Sequence, residues 1–344
     1  MVRRPYSVLR GTYRRLVTRL WLKRRSATGW HSSHRGTLRI RNAEHAPRTT
    51  EYAVYTPPTH IISCSRRTDV AACYTAWLAQ VLAARAVDVP SPYGGPVRHV
   101  SLDPAEVHSL VFMSKNYGPL LANVAGVRDL LGAYEQLFFH LTITGLGGGR
   151  LEPGVPPWRQ VARQLPQLVA WAGDPRRVTV RFDPVVHWLE GERVLSNLPE
   201  AAAIFDAAAE SGITAVRVSI AALYPKMRRR GVVWHDPSPG ERAAIAAHLS
   251  ELARARGLEL YACADPTLVA AGIRPSACID GRLLSELHPR RLPLPTHKDP
   301  GQRPACGCTP SIDIGSYQMR CGHGCRYCYA APAVTPSDQQ GFCT

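Results

Sequence analysis

From residue 59 onward, short runs of β-branched and aromatic residues alternate with stretches whose apolar residues recur at helical spacing. Short apolar runs bounded by turn residues are typical of strands that are buried on both faces. The candidate strands are His60–Ser63, Leu110–Ser114, Phe138–Thr142, Val178–Phe182, Ala215–Ile220 and Leu258–Cys263. Helical spacing follows the first strand and precedes the last, where Gly257 predicts the end of a helix.

This alternation of strands and helices predicts an α/β fold with a parallel sheet and crossover helices. Six strand–helix units favour an open (β/α)6 barrel, like a TIM barrel but incomplete, over residues 59–290. The stretch 289–304 is rich in Pro and irregular, and it links this barrel to a cysteine-rich C-terminal segment, residues 291–344. In barrels, the chemistry lies where strands end and loops begin.

Charged and polar residues stand at the ends of the predicted strands. They are Arg66, Arg67 and Asp69 after the first strand, Lys115 and Asn116 after the second, and Arg181 and Asp183 at the end of the fourth. Guanidinium and ammonium groups suit carboxylates or phosphates, and the Asp residues suit ribose or ammonium groups. We therefore predict that these residues bind a cofactor or substrate on one rim. For each residue alone, a salt bridge or a helix cap is the alternative.

The formal net charge of +16 is concentrated at the N-terminus. Residues 1–50 contain 13 Lys and Arg but a single acid, Glu44, whereas the rest of the chain has 29 basic and 25 acidic residues. We expect residues 1–50 to be a basic leader that is solvated or disordered. Non-specific contact with nucleic-acid phosphates is the alternative.

The leader contains neither an uninterrupted apolar region nor a small-residue cleavage site, so it does not resemble a signal peptide. No apolar run in the chain is long enough to span a bilayer. These two observations predict a cytoplasmic protein with no membrane partner.

Ten cysteines in a chain of this kind indicate metal or redox chemistry, because cytosolic thiols are kept reduced. Three of them form the string Cys321-Gly-His-Gly-Cys325-Arg-Tyr-Cys328. Three thiolates on a glycine-containing loop are able to hold a [4Fe–4S] cluster and leave one iron open, which makes them candidate catalytic ligands. Zinc with His323 as a further ligand is the alternative. We otherwise expect His323 to be a solvent-exposed donor beside the cluster.

This string, with Tyr327 directly before the third cysteine, resembles the cluster loop of the radical S-adenosylmethionine superfamily. The resemblance implies that the open iron chelates S-adenosylmethionine, and that one-electron reduction yields a 5′-deoxyadenosyl radical. It also implies that Tyr327 lies near the adenine, and that a flavodoxin or ferredoxin supplies the electron. In most of the superfamily the loop follows the first barrel strand. Here it follows the sixth unit, which implies a permuted barrel.

Further strings occur elsewhere in the chain: Ser63-Cys-Ser-Arg-Arg-Thr-Asp69, Ser114-Lys-Asn116, Arg181-Phe-Asp-Pro184 and Cys306-Gly-Cys-Thr-Pro-Ser-Ile-Asp-Ile-Gly315. In combination with the late cysteine triplet, they resemble an uncharacterised bacterial family, domain of unknown function 1848. The resemblance covers about residues 59–331 and implies no established substrate.

Four further cysteines lie in the last quarter of the chain: Cys263, Cys278, Cys306 and Cys308. Four is the number of thiolates that fully ligates a second iron–sulfur cluster or a zinc ion. Buried structural cysteines are the alternative. We expect Cys64, Cys73 and Cys343 not to be ligands.

Two functions follow from these patterns. The first is a radical S-adenosylmethionine enzyme that acts on a small-molecule or nucleic-acid substrate. The second is a non-catalytic zinc or iron–sulfur binding protein, associated with nucleic acid through the basic leader.

Overall fold

An eight-stranded sheet in which every pair of neighbouring strands is parallel forms the centre of the fold. The computed structural model describes residues 59–91 and 94–330, so the predicted basic leader lies outside the described residues. The strands are β1 (His60–Cys64), β2 (Ala86–Val89), β3 (Arg98–Ser101), β4 (Val107–Ser114), β5 (Leu137–Thr142), β6 (Val178–Val185), β7 (His187–Glu190), β8 (Arg193–Ser196), β9 (Ala215–Ile220), β10 (Glu259–Ala262), β11 (Arg274–Pro275) and β12 (Ile312–Asp313).

The α-helices lie mainly in the connections between the sheet strands. They are α1 (Val70–Cys73), α2 (Thr75–Ala84), α3 (Gly118–Leu121), α4 (Val127–Leu131), α5 (Trp158–Ala162), α6 (Leu165–Ala172), α7 (Ala201–Glu210), α8 (Pro225–Arg228), α9 (Pro239–Arg254), α10 (Pro266–Ala270) and α11 (Gly281–Leu287). No helix within residues 59–91 and 94–330 is long and apolar enough to cross a membrane.

The strand order is β11–β10–β9–β6–β5–β4–β1–β12. From β1 to β11 the chain steps along the sheet in one direction, and β12 then returns to the free side of β1, where Ser63 is paired with Asp313. The hairpins β2–β3 and β7–β8 are antiparallel and form two separate sheets. The return of β12 brings the cysteine-rich segment back to the first strand.

Both faces of the large sheet are buried, as is usual for parallel sheets. One face packs against helices α2, α6, α7 and α9, and its side chains include Ile62, Leu110, Phe112, Phe139, Val180 and Val216. The opposite face carries Ile61, Val111, Met113 and Phe138. These four residues pack against α11 and the segment that contains Cys278 and Cys308.

The α/β class and all six predicted strands are confirmed, with strand ends that differ by up to three residues. Strands β11 and β12 were not predicted, because two residues are too few to show a hydrophobic period. The two hairpins were also missed. The sheet therefore has eight strands instead of the six that the alternation predicts.

Candidate functional site

The carboxyl ends of parallel strands meet at one edge of the sheet, and the residues 321–328, here called the cysteine loop, lie at this edge. Asp69, which follows β1, accepts a hydrogen bond at Oδ2 from the backbone N–H of Lys115, which follows β4 (2.8 Å). The same oxygen lies 2.8 Å from Nε2 of His323 in the cysteine loop. One carboxylate thus joins the loop to the ends of two central strands.

His323 is buried, with 2% of its surface exposed, so the expectation of a solvent-exposed donor is wrong. Its Nδ1 lies 3.1 Å from the carbonyl oxygen of Gly154, and its Nε2 is paired with Asp69. Burial by itself would raise the pKa of Asp69, but the hydrogen bond and charge of His323, together with hydrogen bonds from the backbone of Lys115 and the side chain of Ser114, lower this pKa overall. The imidazole is buried because the buried carboxylate of Asp69 requires a donor.

Glu152 is a buried acid that the sequence patterns did not single out. Its Oε1 lies 2.9 Å from Nζ of Lys115 and accepts a 2.6 Å hydrogen bond from the hydroxyl of Thr144. The hydroxyl of Tyr327 donates to the same oxygen. Burial alone would raise the pKa of Glu152, but the charge of Lys115 and these hydrogen bonds lower it overall. The only sequence signal was a lone acid in a Gly- and Pro-rich loop after β5.

Arg230, also missed in the sequence, fastens the backbone of the cysteine loop. Its Nη1 donates to the carbonyl oxygens of Arg326 (3.0 Å) and Cys328 (2.6 Å), and its Nη2 donates to that of Ala330 (3.2 Å). A guanidinium group presents several donors in one plane, which suits such a set of converging carbonyls.

Gly154 provides a second contact with the loop backbone. Its N–H donates to the carbonyl oxygen of His323 (3.0 Å). A Cβ at this position would lie 2.2 Å from the carbonyl oxygen of Gly322, well inside van der Waals contact. Only glycine therefore allows this close approach.

The three thiols of the cysteine loop lie within electrostatic range of one another. Burial raises the pKa of Cys325 well above its ordinary value; Lys115 lowers it, and the thiols of Cys328 and Cys321 raise it further. Burial also raises the pKa of Cys321 to about 12. These electrostatic contacts place the three predicted ligands near one another and near Lys115 and Arg230.

Cys73, which was expected not to be a ligand, lies close to the loop. Its Sγ, the Sγ of Cys321 and a ring nitrogen of His323 all lie within 4.8 Å of one another. In the sequence, Cys73 fits the apolar face of its helix, so its pattern gave no indication of this contact.

Arg181 and Asp183, near the end of β6, form an ion pair at the same edge. Asp183 also accepts a hydrogen bond from the hydroxyl of Ser219 in β9, and Nη2 of Arg181 lies 3.8 Å from Sγ of Cys263. Burial lowers the pKa of Lys115, but Glu152, Cys325 and Asp183 raise it overall. The ion pair of Arg181 and Asp183 thus lies within electrostatic range of Lys115 beside the cysteine loop, and Arg181 also contacts Cys263.

Four of the other cysteines lie near one another. Sγ of Cys263 lies 3.3 Å from Sγ of Cys278. Hydrogen bonds between side chains link Cys278 to Cys308, and Cys308 to Cys306. We call these residues the four-cysteine group.

Arg66 holds the segment around β12 against the end of β1. Its backbone N–H donates to Oδ2 of Asp313 (2.7 Å), its Nε lies 3.5 Å from the same oxygen, and its Nη2 donates to Ser311 (3.0 Å). Asp313, which also accepts hydrogen bonds from the hydroxyls of Ser63 and Ser65, was missed in the sequence. A carboxylate that accepts this many hydrogen bonds has a structural role here.

Arg67 and Asn116 are also engaged with the protein itself. Nη1 of Arg67 donates to the carbonyl oxygen of Gly315 (3.0 Å). Oδ1 of Asn116 accepts hydrogen bonds from the N–H of Gly118 (2.9 Å), at the start of α3, and from Gln164 (2.7 Å). Among the predicted binding residues, Tyr327 belongs to the cysteine loop, and Asp69 and Lys115 contact it. Asn116 instead accepts hydrogen bonds in the turn that precedes α3.

Fold and site together define an α/β protein with a central parallel sheet whose carboxyl edge is rich in cysteines. The chain belongs to the family described as Domain of unknown function (DUF1848), whose model matches residues 61–330. This confirms the family that the sequence strings indicated.

Comparison with curated proteins gave no match. Among solved structures, the chain is similar to one described as a "putative lyase/mutase" from Burkholderia cenocepacia J2315. Sequence identity is 15%, the match covers 64% of this chain and 76% of that chain, and the TM-score is 0.29.

Proposed function

We propose that this chain is a radical S-adenosylmethionine enzyme in which Cys321, Cys325 and Cys328 hold a [4Fe–4S] cluster. The observation that carries the proposal is the position of three neighbouring thiols on one loop at the carboxyl edge of a parallel sheet. Catalytic groups of parallel (β/α) barrels lie at this edge. The one-directional strand order, with β12 added beside β1, favours an open and permuted barrel.

The donor atoms around the loop fit a cluster with three protein ligands. Both ring nitrogens of His323 are engaged with acceptors, and the carboxylates of Asp69 and Glu152 are occupied by hydrogen bonds. The loop therefore offers three sulfurs, and His323, whose two ring nitrogens both have partners, offers no free lone pair as a fourth ligand. Three thiolates leave one iron of a [4Fe–4S] cluster open. When bound and reduced, such a cluster supplies the electron that cleaves S-adenosylmethionine to the 5′-deoxyadenosyl radical.

The residues of this chain supply binding groups and shield the site. Lys115 places a buried ammonium group beside Cys325 and is suited to bind the carboxylate of S-adenosylmethionine. The ion pair of Arg181 and Asp183 lies on the side of the edge toward Cys263 and is suited to orient a polar substrate. Asp69, by contrast, holds the loop in place through His323.

A single zinc ion is the alternative, because ligand atoms of Cys73, Cys321 and His323 lie within 4.8 Å of one another, but Cys73 is disulfide-bonded and would first have to be reduced to a thiolate. This binding mode requires a lone pair on His323, and either ring nitrogen would have to give up its present partner to provide one. A zinc protein would contain about one zinc per chain and would not turn over S-adenosylmethionine.

The test is anaerobic reconstitution with iron and sulfide, followed by dithionite and S-adenosylmethionine and quantification of 5′-deoxyadenosine. The wild-type chain should form 5′-deoxyadenosine, and Cys325→Ala should form none. Cys64→Ala, which removes a buried thiol outside the loop, is the matched control and should retain formation. A wild-type chain that holds iron but forms no 5′-deoxyadenosine, or an equally active Cys325→Ala variant, would refute the proposal.

A further inference from the structure

The four-cysteine group is assembled from three separate parts of the chain. Cys263 directly follows β10, Cys278 follows β11 by three residues, and the pair Cys306 and Cys308 precedes β12. The sulfurs form a continuous series, with 3.3 Å between Cys263 and Cys278 and hydrogen bonds between the later members. The topology of the sheet, and not local spacing, brings them together.

The group lies on the sheet face opposite the main layer of helices. Cys278 and Cys308 are buried among apolar side chains of β1, β4 and β5, and Cys263 and Cys306 pack against the same cluster. The backbone N–H of Ile279 donates to Sγ of Cys308 (3.4 Å). Isolated buried cysteines are often mere apolar filler. Apolar packing alone does not require four adjacent sulfurs or a backbone N–H that donates to one of them.

Cationic groups surround these sulfurs. Nη2 of Arg181 lies 3.8 Å from Sγ of Cys263, and Arg66 lies within electrostatic range of Cys306. In the described part of the chain, Nε of Arg181 and Nη1 of Arg66 are buried without a hydrogen-bond partner. A buried donor is unfavourable unless an acceptor satisfies it. The surroundings therefore suit an anionic group that accepts hydrogen bonds.

We propose that Cys263, Cys278, Cys306 and Cys308 ligate a second metal centre, a [4Fe–4S] cluster in which every iron has a thiolate ligand. Such a cluster carries inorganic sulfides, which accept hydrogen bonds from neighbouring donors. This site goes beyond the proposed radical chemistry and uses none of the residues of the cysteine loop.

The buried donors without partners favour a cluster over zinc, because the sulfides of a cluster accept hydrogen bonds and a zinc ion does not. Tetrahedral zinc with bonds to sulfur of about 2.3 Å requires every pair of its sulfurs to lie about 3.8 Å apart. Within residues 59–91 and 94–330, no three sulfurs of this group all lie within 4.8 Å of one another. A four-iron cluster holds each ligand on a different iron, so Cys263 and Cys278, which lie 3.3 Å apart without metal, would move apart on binding.

Full thiolate ligation also determines what this centre does. With four protein ligands, no iron is left open to bind S-adenosylmethionine, so the centre differs in kind from the one proposed at the cysteine loop. It is suited to storing or passing an electron close to the radical site.

Iron counting in a chain without the loop thiols tests the second site independently. The triple variant Cys321→Ala, Cys325→Ala, Cys328→Ala is reconstituted anaerobically, and iron, sulfide and zinc are measured together with the electron paramagnetic resonance spectrum after reduction. We expect about eight irons in the wild-type chain and about four in the triple variant, with the signal of a reduced [4Fe–4S] cluster. Adding Cys278→Ser and Cys306→Ser should remove those four, whereas adding Cys64→Ala should not.

A triple variant that does not fold gives no iron count, so the double variant Cys263→Ala, Cys306→Ala in the otherwise wild-type chain is the second test. Both cysteines are half-buried, so their replacement disturbs packing least; only two thiols of the group remain, and iron should fall from about eight to about four. A folded triple variant that binds zinc instead of iron, or that binds no metal, would overturn the proposal. Loss of 5′-deoxyadenosine formation bears on the cysteine loop alone and leaves this iron count unaffected.

Discussion

The cysteine loop and the four-cysteine group bring their sulfur atoms together in different ways. In the loop, three cysteines occur within eight residues, so their spacing alone indicates a shared ligand. In the four-cysteine group, the ligands are spread from residue 263 to residue 308 and meet only because β10, β11 and the approach to β12 converge. A local motif can be recognised from the sequence alone, whereas a site that the topology of the sheet assembles cannot.

The two regions also differ in what holds them in place. Buried polar pairs fasten the cysteine loop, above all Glu152 with Lys115 and Asp69 with His323. Apolar packing holds the four-cysteine group, with Cys278 and Cys308 inside a hydrophobic cluster. Removing one partner of a buried polar pair strongly lowers stability, because the other partner is left buried and unpaired.

The largest effect on stability should come from Glu152→Gln. This change removes the charge that pairs with Lys115 and leaves the ammonium group uncompensated in a buried site. We expect the free energy of unfolding of the metal-free chain to fall by about 3–5 kcal/mol, measured by urea denaturation at pH 7. Since the pKa of Glu152 is lowered in the folded state, its stabilising effect is present above its ordinary pKa of 4.5 and is lost as pH falls through the folded value.

Glu190→Gln is the matched control, because Glu190 is exposed and lies 3.9 Å from an exposed arginine. Its effect on the free energy of unfolding should stay within about 0.5 kcal/mol. If the two variants were equally stable, the polar pair at Glu152 would not fasten the loop, and the contrast between the two regions would fail.

Much of the fold follows from the sequence because long apolar runs in parallel strands leave little choice of conformation. The six main strands were located on that basis. The two-residue strands β11 and β12 have no pattern of their own and form only because neighbouring strands present free edges to them. The return of the cysteine loop to β1 was expected from the resemblance, but the pairing of Ser63 with Asp313 that accompanies it was not.

The part of the site that was predicted from the sequence is the part in which residue type and spacing indicate the chemistry. Cysteine spacing located the loop, but Glu152 and Arg230 lie in segments without a distinctive pattern and are identifiable only from their contacts. His323 was expected to be a solvent-exposed donor beside the cluster. Its burial depends on Asp69, which lies more than 250 residues earlier in the chain.

A smaller effect is expected from Gly154→Ala. The new Cβ would lie 2.2 Å from the carbonyl oxygen of Gly322, so the cysteine loop must shift to accommodate it. Overpacking of this kind costs about 1–3 kcal/mol. Iron bound by the loop should be lost faster to a chelator, whereas iron bound by the four-cysteine group should be retained.

Gly240→Ala is the control for this change, because a Cβ there meets no atom within 4 Å and the residue lies in the first turn of α9. It should leave both iron fractions unchanged and either preserve or slightly raise stability. Equal loss of iron from both sites in Gly154→Ala would show that the two regions do not respond separately.

The smallest and most local effect should come from Arg230→Lys. Lysine keeps the positive charge but cannot reach the carbonyl oxygens of Arg326, Cys328 and Ala330 with one planar group. Each hydrogen bond lost changes stability by about 0.5–1.5 kcal/mol, and part of this is recovered by water because Arg230 is half-buried. Global unfolding should therefore change little, while hydrogen exchange of backbone amides in residues 321–330 should accelerate relative to those of β4. Acceleration in β4 to the same degree would mean that Arg230 stabilises the whole sheet, and that the loop is not a separately fastened unit.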